Sequence, residues 1–527
     1  MTFFKKYFSV HSLVFLSIFF IAIAFRFINL INSECDYYHF DEQLVSIISK
    51  NIHENKTYDN NWINHFEEPG SSFHINQYNF SSYIYFSSFI YSFWRNLWDR
   101  FDDGRWNYRR NVHFHRTVSA TINLIAILLI YQVCRECFRQ KEIALMSLFL
   151  CAFSPLLVQD SHYARPEGFL TLNAVLVLLL TIRTKNLNSP LFFLCLFLIG
   201  ISIACKISMI VMLSLPTIQF IKILKRGKSR SEESAQSLWL SILLSIISLM
   251  IGIAIGMPYA LIHFPSYIAG IKFLLEQYSS SHPPYSLYDG SRLFLAIPHY
   301  FLQIYGYLFW ISYTYGNYKL IWEKRYDLFL ILNICFIFFI TVLSFNRVFF
   351  ERNFTPFLPY ISIVVALGIF HIISDLHKIL KQVIFKTTIP ILFACALIFV
   401  PLSISCRLVF IEMSCTEGLR KYDFEKELLK KYSNLPLIED DLLDLSLLDT
   451  LDPIIKMSPQ IVLKLYDFND GFTKNNIPLL IQKYRIIKIG EYSSIFSDIR
   501  VCTLHTYHSP TIQYFLVSHP TPKKQIY

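Results

Sequence analysis

The chain has 527 residues, 54% of them hydrophobic and only 16% charged, with 49 Phe and 32 Tyr against 15 Gly. A soluble domain is about one quarter charged, so a disordered chain, a collagen and an ordinary soluble enzyme are excluded. The net charge of +10 is spread between apolar segments instead of being gathered with aromatic stackers, which fits orientation in a bilayer and not nucleic-acid binding.

Lys5 and Lys6 precede a first apolar run that is too long for a signal peptide and lacks a small-residue cleavage site, so 11–31 reads as a transmembrane helix. Window hydropathy and loop charge then give about eleven spans in all. The others are 116–133, 142–159, 168–182, 190–204, 207–222, 238–257, 297–316, 326–345, 357–372 and 388–405. Each approaches the ~17–25 residues that cross ~30 Å of hydrocarbon. Alternating barrel strands are absent, so the fold class is an all-α polytopic membrane protein.

The fifth and sixth spans meet at Lys206 and are read as a hairpin. The basic loops carrying Arg135 and Arg139, Arg183 and Lys185, Lys222 to Arg230, Lys319 to Arg325, and Lys378 to Lys386 then share one side. The positive-inside bias makes that side cytoplasmic, with the N-terminus inside and the C-terminus outside. Eleven Cys are scattered, mostly in apolar segments, and read as small buried hydrophobes. Cys134-x-x-Cys137 has no partner pair that would make it a zinc site.

Three non-cytoplasmic segments are large. In 32–115, residues 42–50 have helical apolar spacing with Asp41 as N-cap. The aromatic stretch 79–98 predicts a helix in the membrane interface. In 258–296, residues 266–278 form a second amphipathic piece. The tail, 406–527, is more charged, and 460–466, 484–489 and 510–517 look like strands of a small α+β domain. No internal repeat is evident, which counts against an inverted-repeat transporter.

Charged residues concentrate at one membrane face. Asp41-Glu42 either starts a surface helix or puts a carboxylate at a cavity mouth, where it takes a proton from an acceptor hydroxyl. Glu67-Glu68 lie in a Pro-Gly turn of the same loop and are either solvated or part of the acceptor region. Asp160, His162, Arg165 and Glu167 cluster between the third and fourth spans. Polar residues at that depth are costly and tend to be functional, although an Arg165–Glu167 pair that only fixes the loop is the competing view. Lys206 between two apolar stretches must snorkel, pair or meet an anion such as a lipid phosphate. Arg347 and Arg352 precede the tenth span, where an Arg binds phosphate through its planar fork or simply anchors the helix end. There is no P-loop, dinucleotide fingerprint, zincin motif or nucleophile elbow.

The order of these marks resembles the GT-C class of polytopic glycosyltransferases, in the branch of the protein O-mannosyltransferases and lipid A aminoarabinose transferases. The marks are Asp41-Glu42, Phe66-Glu67-Glu68-Pro69, Arg116 opening the second span, Arg165-Pro166-Glu167 opening the fourth, Lys206, and Arg352 with Pro356 and Pro359. The resemblance covers 1–405, a GT-C-like transmembrane domain, and leaves 406–527 as a separate non-cytoplasmic domain. It implies a polyprenyl-phosphate-sugar donor, a lipid, glycan or protein acceptor, and inverting transfer. It implies that Asp41 acts as base or orients the acceptor with Glu42 in support, and that Lys206 and Arg352 hold the donor phosphate; Arg165 and Arg347 are further candidates for binding that phosphate. Glu68 stands where aminoarabinose transferases have Lys, and Glu167 where the family often has Asp, which leaves Asp160 as an alternative second acid. No cofactor is required. A divalent metal is compatible with the chemistry and not demanded by it. The expected location is a bacterial inner membrane with the active face in the periplasm. The alternative is a transporter or flippase of a lipid-linked sugar.

Overall fold

The structure is a computed structural model. It describes residues 10–30, 40–65, 78–98, 108–227, 235–280, 292–379 and 383–409. In the tail it describes 424–440 apart from 425, 429 and 436, together with 460–467, 485–492 and 511–518. The elements run α1 Val10–Phe27, α2 Phe40–Asn55, α3 Ser81–Trp98, α4 Tyr108–Phe138, α5 Lys141–Ala152, α6 Pro155–Ser161 and α7 Pro166–Arg183. Next come α8 Pro190–Cys205, a 3-10 turn Ile207–Leu213, α9 Ser214–Gly227, α10 Ala235–Gly256, α11 Pro258–Ile262 and α12 Phe264–Ser279. Then follow α13 Ala296–Tyr305, α14 Tyr307–Trp322, α15 Tyr326–Ser344, a 3-10 turn Glu351–Phe357, α16 Leu358–Ile379 and α17 Val383–Arg407. Four strands close the chain: β1 Leu437–Asp440, β2 Gln460–Asp467, β3 Arg485–Tyr492 and β4 Thr511–Ser518. Two compact units result. One comprises residues 1–276, 304–342 and 351–413; the other comprises 277–303, 343–350 and 414–527.

Among the described residues, 7 helices are long and apolar enough to cross a membrane, or 8 if α5 and α6 form one bent span. Pro190–Cys205 and Leu392–Cys406 are shorter apolar helices at two further expected positions. The expected span 142–159 is bent by 57° between α5 and α6, because Pro155 cannot continue the hydrogen-bond ladder and starts a new helix at its first position. The carbonyls freed there are taken by Arg26 of α1. Its guanidinium donates to Cys151 O at 3.1 Å, to Ala152 O at 3.1 Å and to Asn123 Oδ1 of α4 at 2.9 Å. The expected span 297–316 is likewise cut in two. Gly306 between α13 and α14 has φ +78°, a left-handed conformation that side chains with a Cβ rarely adopt.

The first unit is built around α4, α7 and α16, and every residue of α16 from Leu358 to Ile369 is buried. By contrast α10 exposes Trp239, Leu243, Ile246, Met250 and Ile255, the face expected against lipid. The hairpin at Lys206 is visible in the bonds to α7. Lys206 pairs with Glu167 in the first turn of that helix, whereas Gln219 of α9 bonds to the Thr184 carbonyl just past its other end. The two helices expected in the first outer loop are α2 and α3, the amphipathic piece 266–278 falls in α12, and α3 exposes Phe89, Phe93 and Leu97. Asp41 falls in the first turn of α2 instead of at its cap.

In the second unit the tail sheet has the order β1-β2-β4-β3, with β1 parallel to β2 and the other pairs antiparallel. The three strands expected from sequence lie within two or three residues of β2, β3 and β4. Val462 and Tyr514 are buried under Phe424, Leu428, Tyr432 and Leu435.

Helices α14 and α16 touch through glycine. A Cβ on Gly368 would lie 1.8 Å from the Ser312 carbonyl oxygen, and one on Gly316 would lie 2.1 Å from that of Val364. Neither backbone can yield without parting the helices. Gly368→Ala is therefore expected to cost about 1–3 kcal/mol, read as a lower melting midpoint of the detergent-purified protein. An unchanged midpoint would refute the close approach.

Candidate active site

The site is assembled at the end of α7 where that helix begins. Glu42 on α2 is fully buried and meets Arg116 on α4 through two parallel bonds, Nε to Oε1 at 2.8 Å and a terminal nitrogen to Oε2 at 2.8 Å. The same Oε1 accepts the Ala164 N–H at 2.8 Å. This is the fork geometry of a strong arginine–carboxylate pair. It ties the first loop helix to α4 and to the link 162–165 between α6 and α7.

Beside it lies a second charged group. Asp160, the penultimate residue of α6, is buried, pairs with Arg165, and accepts the Thr355 hydroxyl on Oδ2 at 2.5 Å. Ser119 of α4 bonds to the Asp160 carbonyl at 3.3 Å. Pro166 sets α7 in motion, which puts Glu167 in its first turn, where a carboxylate suits the helix dipole. Glu167 Oε1 receives Lys206 Nζ at 2.5 Å and faces Arg352 Nε at 3.9 Å, while Oε2 lies 3.8 Å from Arg165 Nε. Tyr163 joins the two groups: the Arg165 guanidinium lies 4.7 Å from its ring centre and that of Arg116 5.8 Å. Lys206 lies 5.4 Å from the ring centre of Phe80, whose N–H bonds to the Cys205 carbonyl at 3.1 Å.

Exposure separates the cations. The side chains of Arg165 and Arg116 are 3% and 9% exposed, whereas those of Lys206 and Arg352 are 12% and 16% exposed. The first two are the more enclosed; the last two are somewhat more exposed, and both face one oxygen of Glu167. Glu351, next to Arg352, is buried as well.

Of the residues singled out from sequence, Glu42, Asp160, Arg165, Glu167, Lys206 and Arg352 are brought together in the first unit. His162 is buried beside them, with Nε2 3.2 Å from the Ile28 carbonyl and Nδ1 2.9 Å from that of Val158. Burial pushes its pKa down to about 4, which leaves a neutral ring. Arg347 belongs to the second unit, where its N–H bonds to the Tyr278 carbonyl at 3.0 Å. Glu67 and Glu68 lie outside the described residues, as does the Asp41 side chain. Tyr163, Thr355 and Glu351 were not singled out by the sequence reading. Only the proximity of Tyr163 to His162 and Arg165 along the chain could have marked it.

Residues 112–253 match the family model described as dolichyl-phosphate-mannose-protein mannosyltransferase. No curated protein matches the chain. Among solved structures it is similar to the archaeal oligosaccharyltransferase AglB from Archaeoglobus fulgidus, in complex with an inhibitory peptide and a dolichol-phosphate. The TM-score is 0.50 at 16% identity, over 77% of this chain and 56% of that one. The apo form of the A. fulgidus enzyme gives a TM-score of 0.50 at 15% identity, over 78% of this chain and 57% of that one. ArnT from Cupriavidus metallidurans, bound to undecaprenyl phosphate, matches with a TM-score of 0.47 at 11% identity over 96% of this chain and 97% of that one. The chain thus spans little more than half the length of AglB. The chain shares the helical membrane fold of the AglB structures, and the family model matched over 112–253 is a protein mannosyltransferase one, the branch that the motifs resemble.

Removing one member of a buried ion pair leaves a charge with no water to solvate it. Arg116→Ala is expected to destabilise by about 3–5 kcal/mol, while the double change Arg116→Met with Glu42→Gln recovers most of that loss. Melting of the wild type and the two variants in detergent decides it; equal loss in the single and double variants would show that the pair is not the coupling.

Proposed function

We propose that the chain is an integral membrane glycosyltransferase. It moves a sugar from a polyprenyl-phosphate carrier to a lipid, glycan or protein acceptor on the non-cytoplasmic face. The observation that carries this reading is the convergence of Lys206 and Arg352, the two more exposed of the four cations, on Glu167 Oε1 at the start of α7. Two cations fixed at one end of a membrane helix suit the phosphate that leaves when the C1–O bond to the carrier breaks. Support comes from the family match over 112–253 and from the fold shared with AglB, whose structure holds a dolichol-phosphate.

In this reading the acceptor oxygen attacks C1 from the face opposite the phosphate, which inverts the anomeric centre. The bonding pair departs with the phosphate, and the acceptor proton passes to a carboxylate. Glu42 is committed to Arg116 and to the Ala164 amide, so it is poorly disposed to take that proton. Asp41, one residue earlier in the first turn of α2, is the assigned base. Glu167 holds the phosphate-binding cations in place, and Asp160 holds Arg165. Arg165 and His162 shape the α6–α7 link. The proposed location is a bacterial inner membrane, with the site and the tail on the periplasmic side.

The test is transfer of radiolabelled sugar from polyprenyl-phosphate sugars by purified protein in nanodiscs. Asp41→Asn is expected to lower turnover by about 100-fold or more without changing the melting midpoint. Lys206→Ala is expected to raise KM for the donor more than it lowers kcat. Full turnover in Asp41→Asn would move the base to Asp160 or Glu167. Carrier flux across liposomes with no transfer from any donor would replace the enzyme by a flippase.

A further inference from the structure

Two polar atoms beside this cluster are enclosed and make no hydrogen bond, although the second faces Arg165 Nε at 3.8 Å. One is the hydroxyl of Tyr83 on α3, a residue 1% exposed; the other is Oε2 of Glu167. The Tyr83 ring is fixed by packing on Phe169 of α7, with ring centres 6.0 Å apart. The start of α3 is itself pinned to α8, through the Phe80 N–H to the Cys205 carbonyl and the Ser82 hydroxyl to the Ile201 carbonyl at 2.8 Å. Phe169 stands two residues beyond Glu167 on α7. The Ser87 hydroxyl, one turn further along α3, is also enclosed, and neither oxygen makes a hydrogen bond. A buried hydroxyl whose hydrogen bond is left unmade is destabilising, so an occupant that satisfies it gains correspondingly.

The two atoms are complementary. Tyr83 offers a proton, and Glu167 Oε2 offers a lone pair. A neutral hydroxyl, which accepts one hydrogen bond and donates another, satisfies both. An anion does not, because Glu167 is itself a carboxylate. Glu167 Oε1 already turns to Lys206 and Arg352, the cations assigned to the carrier phosphate. The group nearest Oε2 in a bound donor is then the sugar joined to that phosphate. We propose that Tyr83 and Glu167 Oε2 bracket a hydroxyl of the transferred sugar, with Tyr83 as donor and Glu167 as acceptor. The assignment rests on the glycosyltransferase reading above. It makes Glu167 a bridge, with one oxygen for the phosphate-binding cations and the other for the sugar.

The experiment compares wild type with Tyr83→Phe, which keeps the ring and removes only the hydroxyl. Two quantities are measured on the full chain in detergent. The first is the melting midpoint without ligand. The second is the affinity for bare undecaprenyl phosphate and for the same lipid carrying mannose, glucose or 4-amino-4-deoxyarabinose. Ser87→Ala serves as a control. The expected result is a Tyr83→Phe midpoint equal to or above wild type, because an unsatisfied group has been removed. Bare lipid phosphate binds the variant as it binds wild type. The extra affinity that the preferred sugar gives wild type falls by roughly tenfold, the scale of one hydrogen bond to a charged or buried partner. Ser87→Ala keeps that gain. A Tyr83→Phe midpoint several degrees lower would show the hydroxyl already engaged within the fold and would overturn the proposal. So would an unchanged sugar gain in the variant, equal weakening of bare and sugar-bearing lipid, or a wild type that binds no sugar-bearing lipid better than the bare one. A wild type that does not bind even bare undecaprenyl phosphate would overturn the glycosyltransferase reading itself, a result distinct from the others.

Discussion

A charge removed from water must be paired, and this constraint orders the site end of the helical unit. The Glu42–Arg116 fork is the clearest case. A fully buried carboxylate spends both oxygens on one guanidinium and accepts a backbone amide as well. The pair joins residues 74 apart in sequence and brings a third element, the α6–α7 link, against the first two. Once Ala164 is held there, Asp160 and Glu167 are set on either side of Arg165, and Tyr163 presents its ring to both arginines. The first loop helix, the second span and the opening of the fourth span are therefore one structural element. Asp41 is carried to its place by the residue that follows it.

The same rule explains why the four cations of the cluster are not equivalent. Arg116 and Arg165 are enclosed by carboxylates and an aromatic ring, and they hold the scaffold. Lys206 and Arg352 have partly exposed side chains and share a single carboxylate oxygen. In the proposed reaction, charge fixed before the donor arrives would not have to be reorganised as the phosphate leaves. The Lys206 head owes its position to the break between α8 and the 3-10 turn, where residue 206 is extended with φ −140° and ψ 121°. A continuous helix through this point would have carried Lys206 past the start of α7 instead of stopping it there.

Hydropathy located the apolar segments well because burial and lipid contact both select the same residue types. Ten of the eleven expected spans fall on apolar helices or a bent pair of them, from Val10–Phe27 to the apolar stretch Leu392–Cys406, and the eighth falls on α13 and α14. What it could not show is where a span breaks. Pro155 and Gly306 add almost nothing to a window average, yet one bends the third span by 57° and the other divides the eighth. The tail strands were legible from their β-branched and aromatic runs, while the four-residue β1 is too short to register. In the site, the charged residues were legible individually because ionisable groups at a membrane boundary are conspicuous. Their partners were not. Nothing in the spacing of Thr355 predicts a bond to Asp160 across 195 residues, and the aromatic stretch containing Tyr83 reads as an interfacial helix whichever ring turns inward.

In the proposed reading, the bond that Lys206 already makes to Glu167 sets the condition for a phosphate to bind. The ammonium has three donors and spends one on Glu167, so an incoming oxyanion can be met by the others without breaking the existing bond. Arg352 faces the same carboxylate at 3.9 Å, beyond hydrogen-bond length, and this contact is Coulombic. Glu167 therefore holds both heads toward one point while the directional bonds of at least the lysine remain for a ligand. Were Glu167 neutral, two like charges would converge in a medium of low dielectric with nothing between them, and they would be driven apart. The acid in the Arg165-Pro166-Glu167 motif thus acts first through the cations it assembles. Asp at this position would have a side chain one methylene shorter, and Lys206 and Arg352 would have to close that distance from the break at residue 206 and the turn at 351–357. The choice of Glu here is coupled to where those two turns stand.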